Sequence, residues 1–179
     1  MAISDYERFV DNDPSLTSLT VRQLDPNFGD DLARNTTVTR MSFLSKVGFE
    51  FLADGLKRNT TLQHLTIAYY VTTNNVRCLA SALAVNTGLI HLEMQGCSMG
   101  PGEIKYIAEM LEVNTTLRHL NLTENVMGDA GAESIAKALT VNTTLTTLLL
   151  RDNDLTSVGA QSIVLRANPA LTRLDVSSS

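Results

Sequence analysis

One phrase constrains this chain more than any other: "NTTLRHLNL", at 114–122, returns in near copy along its length. "NTTLQHLTI" begins at Asn59, "NTGLIHLEM" at Asn86 and "NTTLTTLLL" at Asn142. The steps from 86 to 114 and from 114 to 142 are each 28 residues. A self-similar period of this size marks stacked supersecondary units. Seven copies align, their strand phrases beginning near Asp13, Asn35, Asn59, Asn86, Asn114, Asn142 and Asn168.

Every copy carries L-x-x-L-x-L or an apolar variant. The sets are Leu16/Leu19/Val21, Val38/Met41/Phe43, Leu62/Leu65/Ile67 and Leu89/Leu92/Met94. Leu117/Leu120/Leu122, Leu145/Leu148/Leu150 and Leu171/Leu174/Val176 complete them. The last two positions of a set are two apart, so a strand puts both on one face, and that face must be buried. After the strand the period lengthens. In "ENVMGDAGAESIAKALTV", Ile135, Ala136, Leu139 and Val141 form a helical stripe, with Gly128 and Gly131 suited to the turn into it. Ile107, Ala108, Leu111 and Val113 repeat the stripe, as do Leu79, Ala80, Leu83 and Val85.

One strand and one helix cannot bury their own apolar faces; stacked copies can. The expected fold is α/β, a right-handed β/α solenoid with a parallel sheet and a row of helices. Helices take about 10 Å of width and strands about 4.8 Å, so the stack must curve with the sheet on the concave side and the helices on the convex side. Residues 1–12 are expected to form an N-terminal capping helix, and 13–179 seven repeats, the last incomplete. Ser4 or Asp5 would cap that helix, and Ile3, Tyr6, Phe9 and Val10 would face the first repeat. "NPALTRLDVSSS" supplies a strand without a helix, so Leu171, Leu174 and Val176 should be partly bare. A fragment of a longer solenoid, self-association through this end, and a strand sufficient as its own cap are the three readings.

L-x-x-L-x-L-x-x-N followed by a helical half resembles a leucine-rich repeat, and within that family the ribonuclease-inhibitor-like subfamily. The resemblance implies a horseshoe, and a turn ladder in which Asn125, Asn153 and, in copy four, Cys97 hydrogen-bond the backbone between repeats. Copies one to three place Leu24, Lys46 and Tyr70 there instead. N-x-[ST] sequons at Asn35, Asn59, Asn114, Asn121 and Asn142 offer two readings, glycan acceptors or turn builders before each strand. The second is favoured, because "MAISDYERFV" has no basic region followed by an apolar run.

Positions between the buried leucines point to the concave face and form columns, one residue per repeat. The first column reads Ser18, Arg40, His64, His91, His119, Thr147 and Arg173, and it takes all 3 histidines of the chain. The second reads Thr20, Ser42, Thr66, Glu93, Asn121, Leu149 and Asp175, and the third Arg22, Leu44, Ala68, Gln95, Thr123, Arg151 and Ser177. Arg40, His64, His91, His119, Arg173, Glu93, Asn121, Leu149 and Arg151 are the candidate partner-binding residues, with Tyr69 beside the sheet edge as a candidate aromatic contact. The histidines admit a metal reading, a pH-responsive contact and plain inheritance of a duplicated repeat; the last is favoured and no metal is expected.

A net charge of −5 argues against a nucleic-acid partner. The 2 cysteines make no disulfide framework, and no apolar stretch reaches membrane-spanning length. G-x-S-x-G, P-loop and H-E-x-x-H strings are missing, so neither catalysis nor a cofactor is expected. The reading is a cytoplasmic, non-catalytic module that binds a protein through its concave sheet. By resemblance, the N-T-T-L strings are similar to leucine-rich repeat proteins of protists and intracellular bacteria. The latter would include effectors acting on host proteins in the host cytosol. Similarity to Ran GTPase-activating proteins supplies a regulatory alternative, and a structural segment of a longer solenoid another.

Overall fold

The computed structural model describes residues 4–177. Ser4 caps the first helix, α1 (Asp5–Val10): its hydroxyl accepts from Glu7 N, and Glu7 Oε2 accepts from Ser4 N at 2.7 Å. The chain then alternates strand and helix without exception. The order is β1 (Ser18–Val21), α2 (Phe28–Arg34), β2 (Arg40–Phe43), α3 (Phe49–Arg58), β3 (His64–Ile67), α4 (Thr73–Leu83) and β4 (His91–Glu93). It continues with α5 (Pro101–Val113), β5 (His119–Asn121), α6 (Gly128–Leu139), β6 (Thr147–Leu149), α7 (Ser157–Arg166) and β7 (Arg173–Asp175).

All seven strands are parallel and lie in one sheet in chain order. This follows from the sequence pattern: each crossover carries a helix, and a helix-bearing crossover returns the chain parallel to the strand it left. The second and third apolar positions of each set face the helices. Leu65, Leu92, Leu120 and Leu148 are fully buried in a row, and Ile107, Ile135 and Leu139 of the helices are buried in the same core. Each such leucine contributes roughly 1.5–3 kcal/mol by leaving water. The fold is a β/α solenoid of leucine-rich type.

Two details differ from expectation. Val85, Val113 and Val141 do not extend the buried stripes; all three are exposed. α4 and α6 have already ended before Val85 and Val141, and Val113 is the last residue of α5. The chain must leave the helix there so that the following asparagine can turn inward. Val10 is likewise exposed, because α1 is too short to bury more than Phe9 fully and Tyr6 in part. Ile3 lies outside the described residues.

The asparagines before the strands show why the phrase repeats. Asn59 donates from Nδ2 to Leu32 O and Asn35 O at 2.7 and 2.9 Å, while its Oδ1 accepts from Thr61 N and Leu62 N. Asn86, Asn114 and Asn142 do the same one repeat further on. Each side chain folds its own turn and ties it to the previous repeat. Asn35, Asn59, Asn114 and Asn142 are buried. Their amides are spent on these bonds, which is the turn-building role.

Candidate functional site

The concave face is built from residues whose neighbours in the strand are buried leucines, so the backbone fixes where each side chain points. The ladder register runs Ser18↔Arg40↔His64↔His91↔His119↔Thr147↔Arg173. The first column of the sequence reading is therefore a physical row, and the second, from Thr20 to Asp175, runs beside it in register.

The three imidazoles stack along this row. His64 and His91 lie 4.2 Å apart between ring centroids and 10° from parallel; His91 and His119 lie 5.2 Å apart at 29°. His119 Nε2 sits 3.2 Å from Glu93 Oε1, and Asn121 Nδ2 donates to Glu93 Oε2 at 2.7 Å. His64 is held below the usual histidine value of 6.5, first by burial and then by the charge of Arg40. His91 is lowered too, by burial and then by its neighbours His64 and His119. Both shifts favour the neutral ring.

A shallow groove of about 680 Å³ runs over this part of the sheet. Arg40, His64 and His91 line it where the strands begin; Glu93, Gln95 and Glu124 line it where they end. Arg40 is exposed and, among the described residues, has no ion-pair or side-chain hydrogen-bond partner. The acids are engaged: Glu93 as above, and Glu124 through Gln95 Nε2 at 2.8 Å.

The other candidates divide. Arg173 is exposed at the far end of the row, and Leu149 is half-buried in the second column. Arg151 is exposed, with Nε 3.0 Å from Asp152 Oδ2. Tyr69 is half-buried beneath Lys46, whose Nζ lies 4.8 Å above the ring. Asn121 departs from the expected contact role: it is buried, and its amide orients Glu93 rather than facing solvent. Glu124 was not among the sequence candidates. It holds a positive φ of 57° at the strand-to-loop corner, equivalent to Gly96 and Asp152 one repeat either side, and only that period of 28 would have marked it.

The turn positions behave as hydrogen-bonding posts. Asn125 Nδ2 donates to Met94 O at 3.0 Å and Leu122 O at 2.8 Å, and Asn153 Nδ2 to Leu122 O and Leu150 O at 2.8 and 2.9 Å. Cys97 Sγ reaches Ile67 O at 3.3 Å, and burial pushes its thiol up to about 11. That thiol is a structural donor and a poor nucleophile at neutral pH. No group of three or more His, Cys, Asp or Glu among the described residues is arranged to hold a metal ion. Among the described residues no helix is long and apolar enough to cross a membrane.

The family model for the leucine rich repeat matches residues 113–136 and 141–164. No curated protein matches the sequence. Among solved structures, "Leiomodin-1 Actin-Binding Site 2 (ABS2)" superposes with a TM-score of 0.61 at 20% identity, covering 90% of this chain and 84% of that one. A tropomodulin C-terminal domain of Caenorhabditis elegans gives 0.58 at 10% identity, over 90% of this chain and 88% of the other. At these identities the likeness is one of fold. Two repeats of this chain match the leucine-rich repeat family model, and the seven in-register strands and the shared architecture show a β/α solenoid fold along the described residues.

Proposed function

We propose that the chain is a non-catalytic protein-interaction module that docks a protein partner on its concave sheet. One observation carries this reading. Polar and charged side chains stand in register across seven strands, held by a backbone in which each strand is already paired with its neighbours. A surface ordered before binding loses little entropy when a partner arrives. Arg40 on β2 and Arg173 on β7 stand exposed in the first column, well apart along the row. The effector and GTPase-activating readings draw no support from this face and are set aside. Because one solved structure of similar fold is an actin-binding site of leiomodin-1, actin is the first defined probe to assay.

The test compares capture from cell lysate, and binding of purified actin, by three proteins. These are the wild type, an R40A/R173A variant of the concave face, and a K105A/E109A variant of the exposed α5 surface. Proteins captured by the wild type and the α5 variant but lost from R40A/R173A are the expected result. Capture that survives R40A/R173A and fails in the α5 variant moves the interface to the helices.

A further inference from the structure

The two edges of the sheet differ. Among the described residues β1 and β7 are each paired on one side only. β1 offers Ser18, Leu19 and Thr20, which carry no charge, and α1 packs against it. β7 offers Arg173, Leu174 and Asp175. Arg173 N donates to Thr146 O and Asp175 O accepts from Leu150 N, so both residues turn their backbone toward β6. Backbone groups alternate along a strand, so the N–H and C=O of Leu174 point outward from the sheet edge. The core is bare on the same side. Leu155, Leu171, Leu174 and Val176 are only partly buried, and Val164 is 55% exposed where Ala136, 28 residues before it, is 0% exposed.

We propose that this edge receives a second copy of the chain, β7 against β7 in antiparallel register about a twofold axis at Leu174. The two Leu174 residues then exchange both N–H···O bonds, and each Arg173 stands opposite the other copy's Asp175. On the core face Leu174 meets Leu174, and Thr172 meets Val176. One sheet runs through both copies and carries two concave surfaces, which goes beyond docking at a single one.

Charge selects this register. Opposed residues of an antiparallel pair have Cβ atoms about 5 Å apart, and diagonal neighbours lie about 7–8 Å apart. Each Arg173 thus meets an aspartate at the short distance and the other arginine only at the long one. Moving the axis one residue along, to Arg173 or to Asp175, sets like charges face to face. Both charges are present to be used. Arg173 is exposed and has no ion pair among the described residues. Ser177 donates to Asp175 Oδ1 from Oγ at 2.7 Å and from N at 3.1 Å, and Oδ2 holds no donor among the described residues. These neutral donors, with Arg151 and Arg173 nearby, hold the Asp175 carboxyl below its ordinary value and leave its negative charge in place. Each copy carries a net −5, but repulsion between distant charges is screened beyond about 8 Å, and the two Arg–Asp pairs sit inside that distance.

Sedimentation velocity of the purified chain, from about 5 to 500 µM, tests the proposal; a contact this small predicts a Kd on the order of 10–100 µM. R173D and D175R each place two like-charged pairs in the interface, so each alone should weaken pairing about tenfold or more. An equimolar mixture of the two variants regains two opposite pairs, and so does R173D/D175R on one chain. Both should pair as the wild type does, a recovery that a merely misfolded variant could not give. Amide exchange at Leu174 needs no variant and should slow as the concentration rises through the Kd. A chain that stays monomeric leaves the edge to some other strand and overturns the proposal. A dimer indifferent to R173D and D175R, one that neither the mixture nor R173D/D175R restores, or Leu174 exchange independent of concentration overturns it as well. The outcome is independent of lysate capture, because the purified chain is its own partner. Arg40, on β2, is remote from this edge, so capture lost in R40A alone belongs to the docking face and not to the pairing of copies.

Discussion

At the scale of single residues, the asparagines before the strands carry more than their number suggests. Asn114 is buried and makes four bonds: Nδ2 to Leu83 O at 2.7 Å and to Asn86 O at 3.4 Å, and Oδ1 from Thr116 N at 2.9 Å and Leu117 N at 2.7 Å. Alanine would take these partners from two carbonyls and two amides, the Leu117 amide among them buried. Asn114→Ala should therefore cost about 2–4 kcal/mol, read as a lowered urea midpoint with an unchanged slope. Asn114→Asp keeps the acceptor and loses the donor, placing a carboxylate against two carbonyls, so it should also destabilise. A midpoint for either variant matching the wild type would show that the ladder is incidental. The turn half of this role was legible in the N-T-T-L phrase. The other half was not: local spacing gives no sign that one amide reaches a carbonyl 31 positions earlier. Asn121 shows the reverse. Its column placed it on the concave face correctly, but a column cannot show that Glu93, one strand back, would claim its amide.

Between elements, the spacing of neighbouring helices decides what each repeat can tolerate. α2 and α3 approach closely because both carry glycine at the contact. A Cβ on Gly55 would stand 2.8 Å from Leu32 Cβ and 2.9 Å from Gly29 O, and one on Gly29 would stand 2.9 Å from Phe51 O. These obstacles include backbone, which cannot rotate aside. Gly55→Ala gains about 1 kcal/mol of helix propensity but must push the pair apart at a cost of about 1–3 kcal/mol. A net loss is expected, visible as a lower melting temperature. A Tm raised instead would mean the helices have room to part. The helical stripes themselves were readable from Leu79/Ala80/Leu83 and their equivalents, since 3.6-residue periodicity is a property of one element. The valines that end each phrase misled, because where a helix stops depends on the asparagine that follows it. The glycine contact was not readable either, since two helices meet there only after the repeats have stacked.

Across the whole molecule, the stack is quasi-one-dimensional: stability accumulates from each repeat and its two neighbours. Its ends differ. At the start, Phe9, Phe28, Phe43 and Phe49 form a continuous file of rings, with successive centroids 5.9, 6.4 and 5.1 Å apart, all fully or almost fully buried. α1 lies over this file, and Tyr6 Oη donates to Asp31 Oδ2 at 2.7 Å. At the other end Leu171, Leu174 and Val176 are only half-buried, and Leu165 on α7 is 82% exposed. The middle repeats are closed on both sides, with Leu92, Leu120 and Leu148 at 0% exposure. A linear array opens first where its repeats are least buried, so α7 and β7 of this chain should fray before the rest. Amide hydrogen exchange at neutral pH should show Thr172 and Arg173, which donate to Thr146 O, exchanging well ahead of Arg118 and His119, which make the equivalent bonds to Ile90 O two strands inward. Protection should rise from β7 to β5 and stay high through β2. Equal protection at both pairs would mean that the seven repeats unfold as one cooperative unit. The concave surface would then be rigid along its whole length, and not firmest at the groove over β1 to β4.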